Sequence, residues 1–305
     1  MKLILLFFGL LFSLSSFAQQ RFVTLDSTKI WINTIGLENR TEGQPVLVFE
    51  SGLGTPMGHW NRILEGAAQH APVVSYDRPG IGESEANDVE PTIKIVSDRL
   101  IQLLQHLEVE PPYVLVGHSL GGLYVRGFAN YYPETLAGLI IIDPADFTET
   151  QANKRAYYKP LDWSEQQIDD WLAQLEAKGA KRQEGAPPSI KAESKVLAEQ
   201  RANDFAEIHT KPLPDIPVHM ITGGRFDYPK HLRSKEFDEE IVFRTKMAHR
   251  VKRWTDVIQS VSKGMLLYSG DAGHFVHYDD PDLVVASIGI VLKDYELLKR
   301  KDSKK

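Results

Sequence analysis

The segment Gly117-His118-Ser119-Leu120-Gly121 restricts the fold of this chain more than any other stretch. It follows an apolar run over 113–116 that predicts a buried strand, and it opens a segment over 120–130 that predicts a helix. A Gly-x-Ser-x-Gly sequence between a strand and a helix places its serine on a strained turn with the hydroxyl exposed. The motif alone is common, so the flanking strand and helix support the inference. Ser119 is the candidate nucleophile, and the alternative is an ordinary glycine-rich turn.

Short apolar runs alternate with helical patterns along most of the chain. Runs that predict strands lie at 45–49, 73–76, 139–142, 217–222 and 265–268, after a predicted hairpin over 22–35. Their apolar residues are continuous, which is typical of parallel strands buried on both faces. The sequence therefore predicts an α/β fold with a mostly parallel central sheet flanked by helices.

The first residues have the pattern of an export signal. Met1-Lys2 precedes an apolar block from Leu3 to Leu14, and Ser16-Phe17-Ala18 ends the segment with small residues. This predicts a signal peptide over 1–18 and a periplasmic or secreted protein, without stable membrane insertion after cleavage. The block is short for a helix that spans a bilayer. Because the sequence contains no cysteine, a disulfide is not expected.

Composition and charge give no indication of a nucleic-acid, metal or cofactor partner. The formal net charge is −6 and 25% of residues are charged, with no basic stretch except the C-terminal lysines and arginine, which are typical of a solvated terminus. We therefore expect no nucleic-acid partner. The sequence shows no His or Cys spacing of a metal site, so neither a metal nor an organic cofactor is expected. The oligomeric state stays open.

Four segments together resemble a known superfamily. They are Ser51-Gly52-Leu53-Gly54, the loop Asp77-Arg78-Pro79-Gly80-Ile81-Gly82-Glu83-Ser84, the Ser119 motif, and Gly273-His274-Phe275-Val276-His277 with Asp280-Pro281. With them the chain resembles the α/β-hydrolase superfamily over nearly all residues after 18. The resemblance implies an α/β-hydrolase core over 19–146 and 215–305, with a helical cap inserted at 147–214. It is specific for the fold and says little about the substrate.

A serine nucleophile needs a histidine base within hydrogen-bonding reach. His274 follows a predicted strand and should lie at the carboxyl end of the sheet with Ser119, where open α/β sheets build their sites. We therefore predict His274 as the base. His277 and His118 are weaker candidates, and His118 is expected to pack or to form a local hydrogen bond.

The superfamily order of Ser, then Asp or Glu, then His implies an acid between Ser119 and His274. Asp227 follows the predicted strand over 217–222 and lies in the loop where the resemblance places the acid, so we predict Asp227. Its alternative role is a helix cap. Asp143, at the end of the strand over 139–142, is the rival, because some relatives resemble that arrangement.

The tetrahedral intermediate needs two backbone N–H donors. One is predicted at Leu120, after the nucleophile, and the resemblance implies Leu53 for the other. The family commonly has His-Gly where this chain has Ser51-Gly52, with Glu50 just before it. A carboxylate so close to an oxyanion must be turned away or paired, and Arg78 is a candidate partner.

These residues favour a serine hydrolase that cleaves a small-molecule carboxylic ester through an acyl-enzyme. An aminopeptidase or amidase and an acyltransferase use the same residues and stay open. A ligand-binding protein that keeps the fold but has lost catalytic turnover is a further alternative. Dehalogenases and epoxide hydrolases resemble the fold but need a carboxylate nucleophile, and Ser119 argues against both.

Overall fold

The computed structural model describes residues 18–302 of the chain. Nearly all of the predicted signal peptide lies outside these residues, so export stays a prediction. The strands are β1 (Gln19–Leu25), β2 (Thr28–Ile35), β3 (Val46–Glu50), β4 (Val73–Tyr76), β5 (Tyr113–His118), β6 (Leu136–Ile142), β7 (Val218–Gly223) and β8 (Gly264–Ser269). The helices are α1 (Asn61–Ala68), α2 (Ile93–His106), α3 (Leu120–Tyr131), α4 (Gln151–Arg155), α5 (Glu165–Gln183), α6 (Pro188–Ala202), α7 (Glu239–Gln259), α8 (Val276–Asp279) and α9 (Pro281–Asp302).

The strands form one sheet in the order β1-β2-β4-β3-β5-β6-β7-β8. β1 pairs with β2 and β2 with β4 in antiparallel fashion, while every pairing from β4 to β8 is parallel. The predicted α/β fold with a mostly parallel sheet is confirmed. Because the parallel strands run the same way, the loops that follow β3, β4, β5, β6 and β8 meet at one edge of the sheet.

Both faces of the sheet are buried along β3 to β7, which explains the continuous apolar runs there. In β3, Val46 and Val48 face one core layer together with α2 and α3, whereas Leu47 and Phe49 face the other layer with α1 and α9. Successive side chains of a strand point to opposite faces, so a strand covered on both sides needs apolar residues at every position.

The segment between β6 and β7 contributes α4, α5 and α6. α5 begins with a capping box: the Gln167 N–H donates to Ser164 Oγ at 3.3 Å, and the Ser164 N–H donates to Gln167 Oε1 at 2.9 Å. Gly179 lies inside α5 and does not end it, because the helix continues to Gln183. A single glycine costs a helix only about 1 kcal/mol. The division of the chain at 147–214 stays a prediction.

Within residues 18–302, the structure contains no helix that is both long and apolar enough to cross a membrane.

Three histidines are buried in the core in the uncharged form. Burial lowers the pKa of His219 to about 4, and its Nδ1 lies 2.7 Å from Ser287 Oγ. Burial, with a smaller effect from the charge of His274, lowers the pKa of His118 to about 3. Burial and then the charge of His118 lower the pKa of His277 to about 2. All three values lie below the pKa of about 6.5 expected in the unfolded chain.

These shifts predict that the free energy of unfolding falls as the pH is lowered from about 6.5 toward 4. In that range the unfolded chain binds protons that the folded chain does not, and each histidine contributes a slope of up to about 1.4 kcal/mol per pH unit. His219→Asn places an amide near the position of Nδ1, keeps a partner for Ser287 and no longer titrates. Its slope between about pH 6 and 4.5, measured by urea unfolding, should be smaller by about that amount.

The exposed His70 provides the control for this experiment. His70→Asn should leave the slope of the unfolding free energy against pH unchanged. Equal slopes for His219→Asn and the wild type would show that His219 is not held uncharged by the fold.

Candidate active site

Ser119 lies on the strained turn that the sequence predicts, between β5 and α3. Its backbone has φ 54° and ψ −115°, in the positive φ region that side chains other than glycine rarely adopt. The glycines on either side permit this turn. A Cβ added to Gly117 would lie 2.4 Å from the Gly121 carbonyl oxygen, and one added to Gly121 would lie 2.1 Å from that of Glu50. Both glycines are therefore required for the close approach of α3 to β5 and β3.

His274 reaches Ser119 from the loop between β8 and α8. Its Nε2 lies 3.1 Å from Ser119 Oγ, which places the hydroxyl proton within reach of the imidazole. The Ser119 N–H donates to the Ile142 carbonyl at 3.1 Å, so the serine is also fixed to the end of β6. The His274 side chain is 47% exposed, and the pair is open to solvent.

The structure places Asp143 against the other ring nitrogen of His274. His274 Nδ1 donates to Asp143 Oδ2 at 2.5 Å, and Asp143 Oδ1 accepts from Thr222 Oγ1 at 2.8 Å and from Arg250 at 2.9 Å. Burial alone would raise the pKa of Asp143. The hydrogen bond from His274 and the charge of Arg250 outweigh it, so the pKa lies below its ordinary value. Asp143 is therefore held as a carboxylate at neutral pH.

Asp227, which we predicted as the partner of His274, does not reach the imidazole in the structure. Its side chain is 55% exposed and accepts from Arg225 Nε at 2.7 Å. β7 ends at Gly223 and presents Thr222 to Asp143, while the loop beyond turns Asp227 toward solvent. The carboxylate beside His274 is Asp143, the rival candidate, which directly follows β6, the strand next to β5.

His118 and His277 support the loop that carries His274. The His118 Nε2–H donates to the His274 carbonyl oxygen at 2.9 Å, so its hydrogen bond is not local in the chain but joins a loop 156 positions away. The His277 ring lies 4.6 Å from the rings of both Trp60 and His118 and is buried. Packing of these rings fixes the position of His274.

This fold and this arrangement agree with a comparison to protein families. A family model described as the alpha/beta hydrolase family matches residues 47–287, which is more than half of the chain. The chain belongs to the alpha/beta hydrolase family. The resemblance inferred from the sequence motifs is thereby confirmed.

Individual relatives match shorter parts of the chain. The uncharacterized protein YqjL of Bacillus subtilis is 31% identical over 99 residues, covering 32% of this chain and 39% of the relative. A (lyso)-N-acylphosphatidylethanolamine lipase of Bos taurus is 26% identical over 147 residues, covering 47% of this chain and 42% of the relative. The chain thus spans less than half the length of these two curated relatives.

A solved structure shares the fold over almost the whole chain. The enol-lactonase of Burkholderia xenovorans LB400 has a TM-score of 0.53 at 17% identity, covering 90% of this chain and 100% of the other. At this identity the likeness shows the fold alone.

Glu50, at the end of β3, is paired, as the sequence suggested. Arg78 lies 2.5 Å from Glu50 Oε1 through one terminal nitrogen, and 2.7 Å from Glu193 Oε1 through Nε. The Tyr76 hydroxyl also donates to Glu50. Arg78 and both glutamates are at most 4% exposed, so the carboxylate next to the serine loop is buried and compensated.

The same arginine fixes the loop that follows β3. Its terminal nitrogens donate to the Ser51 and Gly52 carbonyl oxygens, each at 2.6 Å. In a planar trans peptide the C=O and the next N–H point in opposite directions, so the Leu53 N–H points away from Arg78. A Cβ on Gly52 would lie 3.4 Å from the Ser119 Cβ, which places this loop directly beside the serine.

Glu193, which no sequence pattern indicates as a site residue, joins the segment between β6 and β7 to the loop after β3. It lies on α6, and its Oε2 accepts from the Gly54 N–H at 2.8 Å. The two residues are 139 positions apart in the chain, and a glutamate in an amphipathic helix gives no signal of such a contact. One buried arginine therefore connects β3, the loop after β4, and α6.

A small cavity lies beside Ser119, under the inserted segment. Its volume is about 190 Å³, and α6 and α7 contribute part of its wall. The lining residues are Ser119, Asp143, Pro144, Ala145, Asp146, Glu149, Leu197, Arg201, Lys246, Arg250 and His274. Among residues 18–302, no group of three or more His, Cys, Asp or Glu side chains is arranged to hold a metal ion.

Replacing Arg78 should destabilise the protein strongly. Arg78→Met leaves two buried carboxylates without their cation, which should lower the free energy of unfolding by about 3–5 kcal/mol. Adding Glu50→Gln and Glu193→Gln to the same variant should recover part of the loss, because the buried charges are then removed. Urea unfolding followed by tryptophan fluorescence measures both effects.

The exposed pair of Lys29 and Glu85 is the matched control. Its atoms lie 3.7 Å apart and its side chains are 58% and 49% exposed. Lys29→Met should cost less than about 1 kcal/mol. A loss of similar size for Arg78→Met would contradict the structural role given to Arg78.

Proposed function

We propose that this member of the alpha/beta hydrolase family is an exported serine hydrolase that cleaves a carboxylic ester through an acyl-enzyme intermediate. The observation that supports it most directly is the hydrogen-bonded series from Ser119 Oγ to His274 and from His274 to Asp143, at 3.1 and 2.5 Å. The export part of the proposal rests on the apolar N-terminal block and its small-residue end.

In the first half of the proposed reaction, Ser119 Oγ attacks the ester carbonyl carbon while His274 Nε2 takes the hydroxyl proton. Asp143 holds the Nδ1–H and stabilises the imidazolium that forms. The imidazolium then gives its proton to the departing alkoxide, so the alcohol leaves and an acyl group stays on Ser119. In the second half, His274 takes a proton from water, the hydroxide attacks the acyl group, and the acid leaves as Ser119 regains its proton.

The backbone N–H groups of Leu53 and Leu120 are the proposed donors to the oxyanion. Leu120 is the first residue of α3, whose N-terminal amides point along the helix axis toward the serine turn. Leu53 is supported by the hydrogen bond that Arg78 donates to the Gly52 carbonyl oxygen. This bond turns the Leu53 N–H away from the arginine.

Three features favour an ester as the bond that is cleaved. The nucleophile is a serine, which excludes the aspartyl-ester chemistry of related dehalogenases and epoxide hydrolases. The exposed face of His274 admits both the leaving alcohol and the attacking water. A relative matched over 47% of this chain is named a lipase. Together they favour ester hydrolysis, with amides as the alternative substrate to be screened.

A fluorophosphonate probe tests the nucleophile without knowledge of the substrate. We expect one adduct, located on Ser119 by peptide mapping, and no adduct on folded Ser119→Ala. Ester hydrolysis should disappear in the same variant. When the full chain is expressed, the labelled protein should be recovered from the periplasm or the culture medium and should begin at Gln19. Labelled protein found only in the cytoplasm would refute export, and an unlabelled folded protein would refute the activated serine.

The acid is tested by a matched pair of amide substitutions. Asp143→Asn should lower kcat on the order of 10⁴-fold, because the amide no longer stabilises the imidazolium and favours the wrong tautomer. Asp227→Asn is the control and should change kcat less than about twofold, because an exposed carboxylate paired with a neighbouring arginine acts weakly. The reverse pattern would return the acid role to Asp227. Both variants need to show wild-type unfolding curves.

A further inference from the structure

The cavity beside Ser119 is lined mainly by charged side chains. Small-molecule pockets are usually apolar and measure about 300–1,000 Å³. This one has a volume of about 190 Å³, and only Pro144, Ala145 and Leu197 contribute apolar side chains to its wall. Its size and lining point to a small polar substrate.

The three carboxylates of the wall have their own cations. Asp143 accepts from Arg250 at 2.9 Å, and Asp146 accepts from Arg253 at 2.6 Å and from Arg250 at 3.4 Å. Glu149 accepts from the Tyr157 hydroxyl at 3.0 Å and faces Lys246 at 3.6 Å. The wall itself carries three cations, Arg201, Lys246 and Arg250, against its three carboxylates, and Arg253 outside the wall adds a fourth cation beside Asp146.

Arg201 is the cation of the wall that pairs with none of these three carboxylates. Among the described residues, the Arg201 guanidinium has no hydrogen-bond or ion-pair partner, and Glu149 is the acid whose charge reaches it. The Lys246 ammonium is beyond hydrogen-bonding distance of Glu149 at 3.6 Å. Desolvation, followed by the charges of Arg250 and Arg201, lowers the pKa of Lys246 against the opposing effect of Glu149 and Asp146. Arg201 is exposed, and an anion between Arg201 and Lys246 would accept charge-assisted hydrogen bonds from both side chains.

We propose that the site takes small esters that carry a carboxylate, and that Arg201 and Lys246 bind this group while Ser119 attacks the ester. The proposal rests on the ester hydrolysis proposed above and names its substrate class. A guanidinium offers paired N–H donors that match the two oxygens of a carboxylate.

Pairs of esters that differ only in the carboxylate test this assignment. On the acyl side, p-nitrophenyl hydrogen glutarate is compared with p-nitrophenyl pentanoate; on the alcohol side, 4-acetoxybutanoate is compared with butyl acetate. In at least one pair, kcat/KM of the anionic ester should exceed that of the neutral ester by roughly tenfold or more, as expected for hydrogen bonds to a charged group. This ratio should fall as the salt concentration rises.

Arg201→Gln should reduce the anionic-to-neutral ratio of kcat/KM by roughly 10- to 100-fold, because the amide keeps polarity but loses the charge. Lys195→Gln is the matched control on the same helix. Lys195 is 62% exposed, pairs with Glu90 at 2.6 Å and lies outside the cavity wall. It should leave the ratio unchanged.

A binding measurement gives a readout that does not require turnover. Glutarate should slow fluorophosphonate labelling of Ser119 in the wild type and have a much smaller effect in Arg201→Gln, whereas 1,5-pentanediol should have no effect on either. Labelling rates that glutarate does not change would overturn the proposed carboxylate site.

The two proposals fail in different ways. If Ser119 is labelled but the neutral ester is hydrolysed as well as the anionic one in both pairs, the carboxylate assignment is wrong and the ester hydrolase stands. If Ser119 is not labelled and no ester is hydrolysed, the proposed function fails and the substrate class fails with it.

Discussion

The close approach of α3 to the end of β3 determines the geometry of this site. Gly121 has no space for a side chain, because a Cβ there would meet the carbonyl oxygens of Glu50 and Ser51 at 2.1 and 2.6 Å. The contact brings the loop after β3 beside the first turn of α3 and keeps Ser119 in its strained conformation. Two backbone segments that the chain order keeps apart therefore lie together at the serine, which is what an oxyanion site built from backbone N–H groups requires.

Arg78 supplies the second constraint, and its burial has a physical cost. Removing an arginine and two glutamates from water is expensive, and such groups often contribute little net stability. Here the guanidinium also donates to the Ser51 and Gly52 carbonyl oxygens, so its fixed fork of donors determines how those peptides are oriented. An apolar side chain of the same size has no donors with which to orient them. Through Glu193 the same ion pairs fix α6, and with it one wall of the cavity.

The sequence predicted the elements whose signals are local and missed contacts that depend on the tertiary fold. The Ser119 turn, the parallel sheet and the position of His274 follow from apolar runs and glycine spacing, and all three appear in the structure. The choice of acid failed because Asp143 and Asp227 both follow predicted strands, and only the direction of each side chain separates them. Glu193 could not be predicted, because its partners lie more than a hundred positions away.

The placement of the acid on β6 also explains how the charges around the cavity are divided. Asp143 lies three residues before Asp146, and Arg250 on α7 donates to both carboxylates. Arg250 is therefore already paired with these two carboxylates, and its charge helps to keep Asp143 ionised. A substrate carboxylate that displaced Arg250 from Asp143 would weaken the very group that stabilises the imidazolium. The proposed substrate carboxylate binds to Arg201 and Lys246 instead, so in this proposal it leaves the ion pair of Arg250 with Asp143 intact.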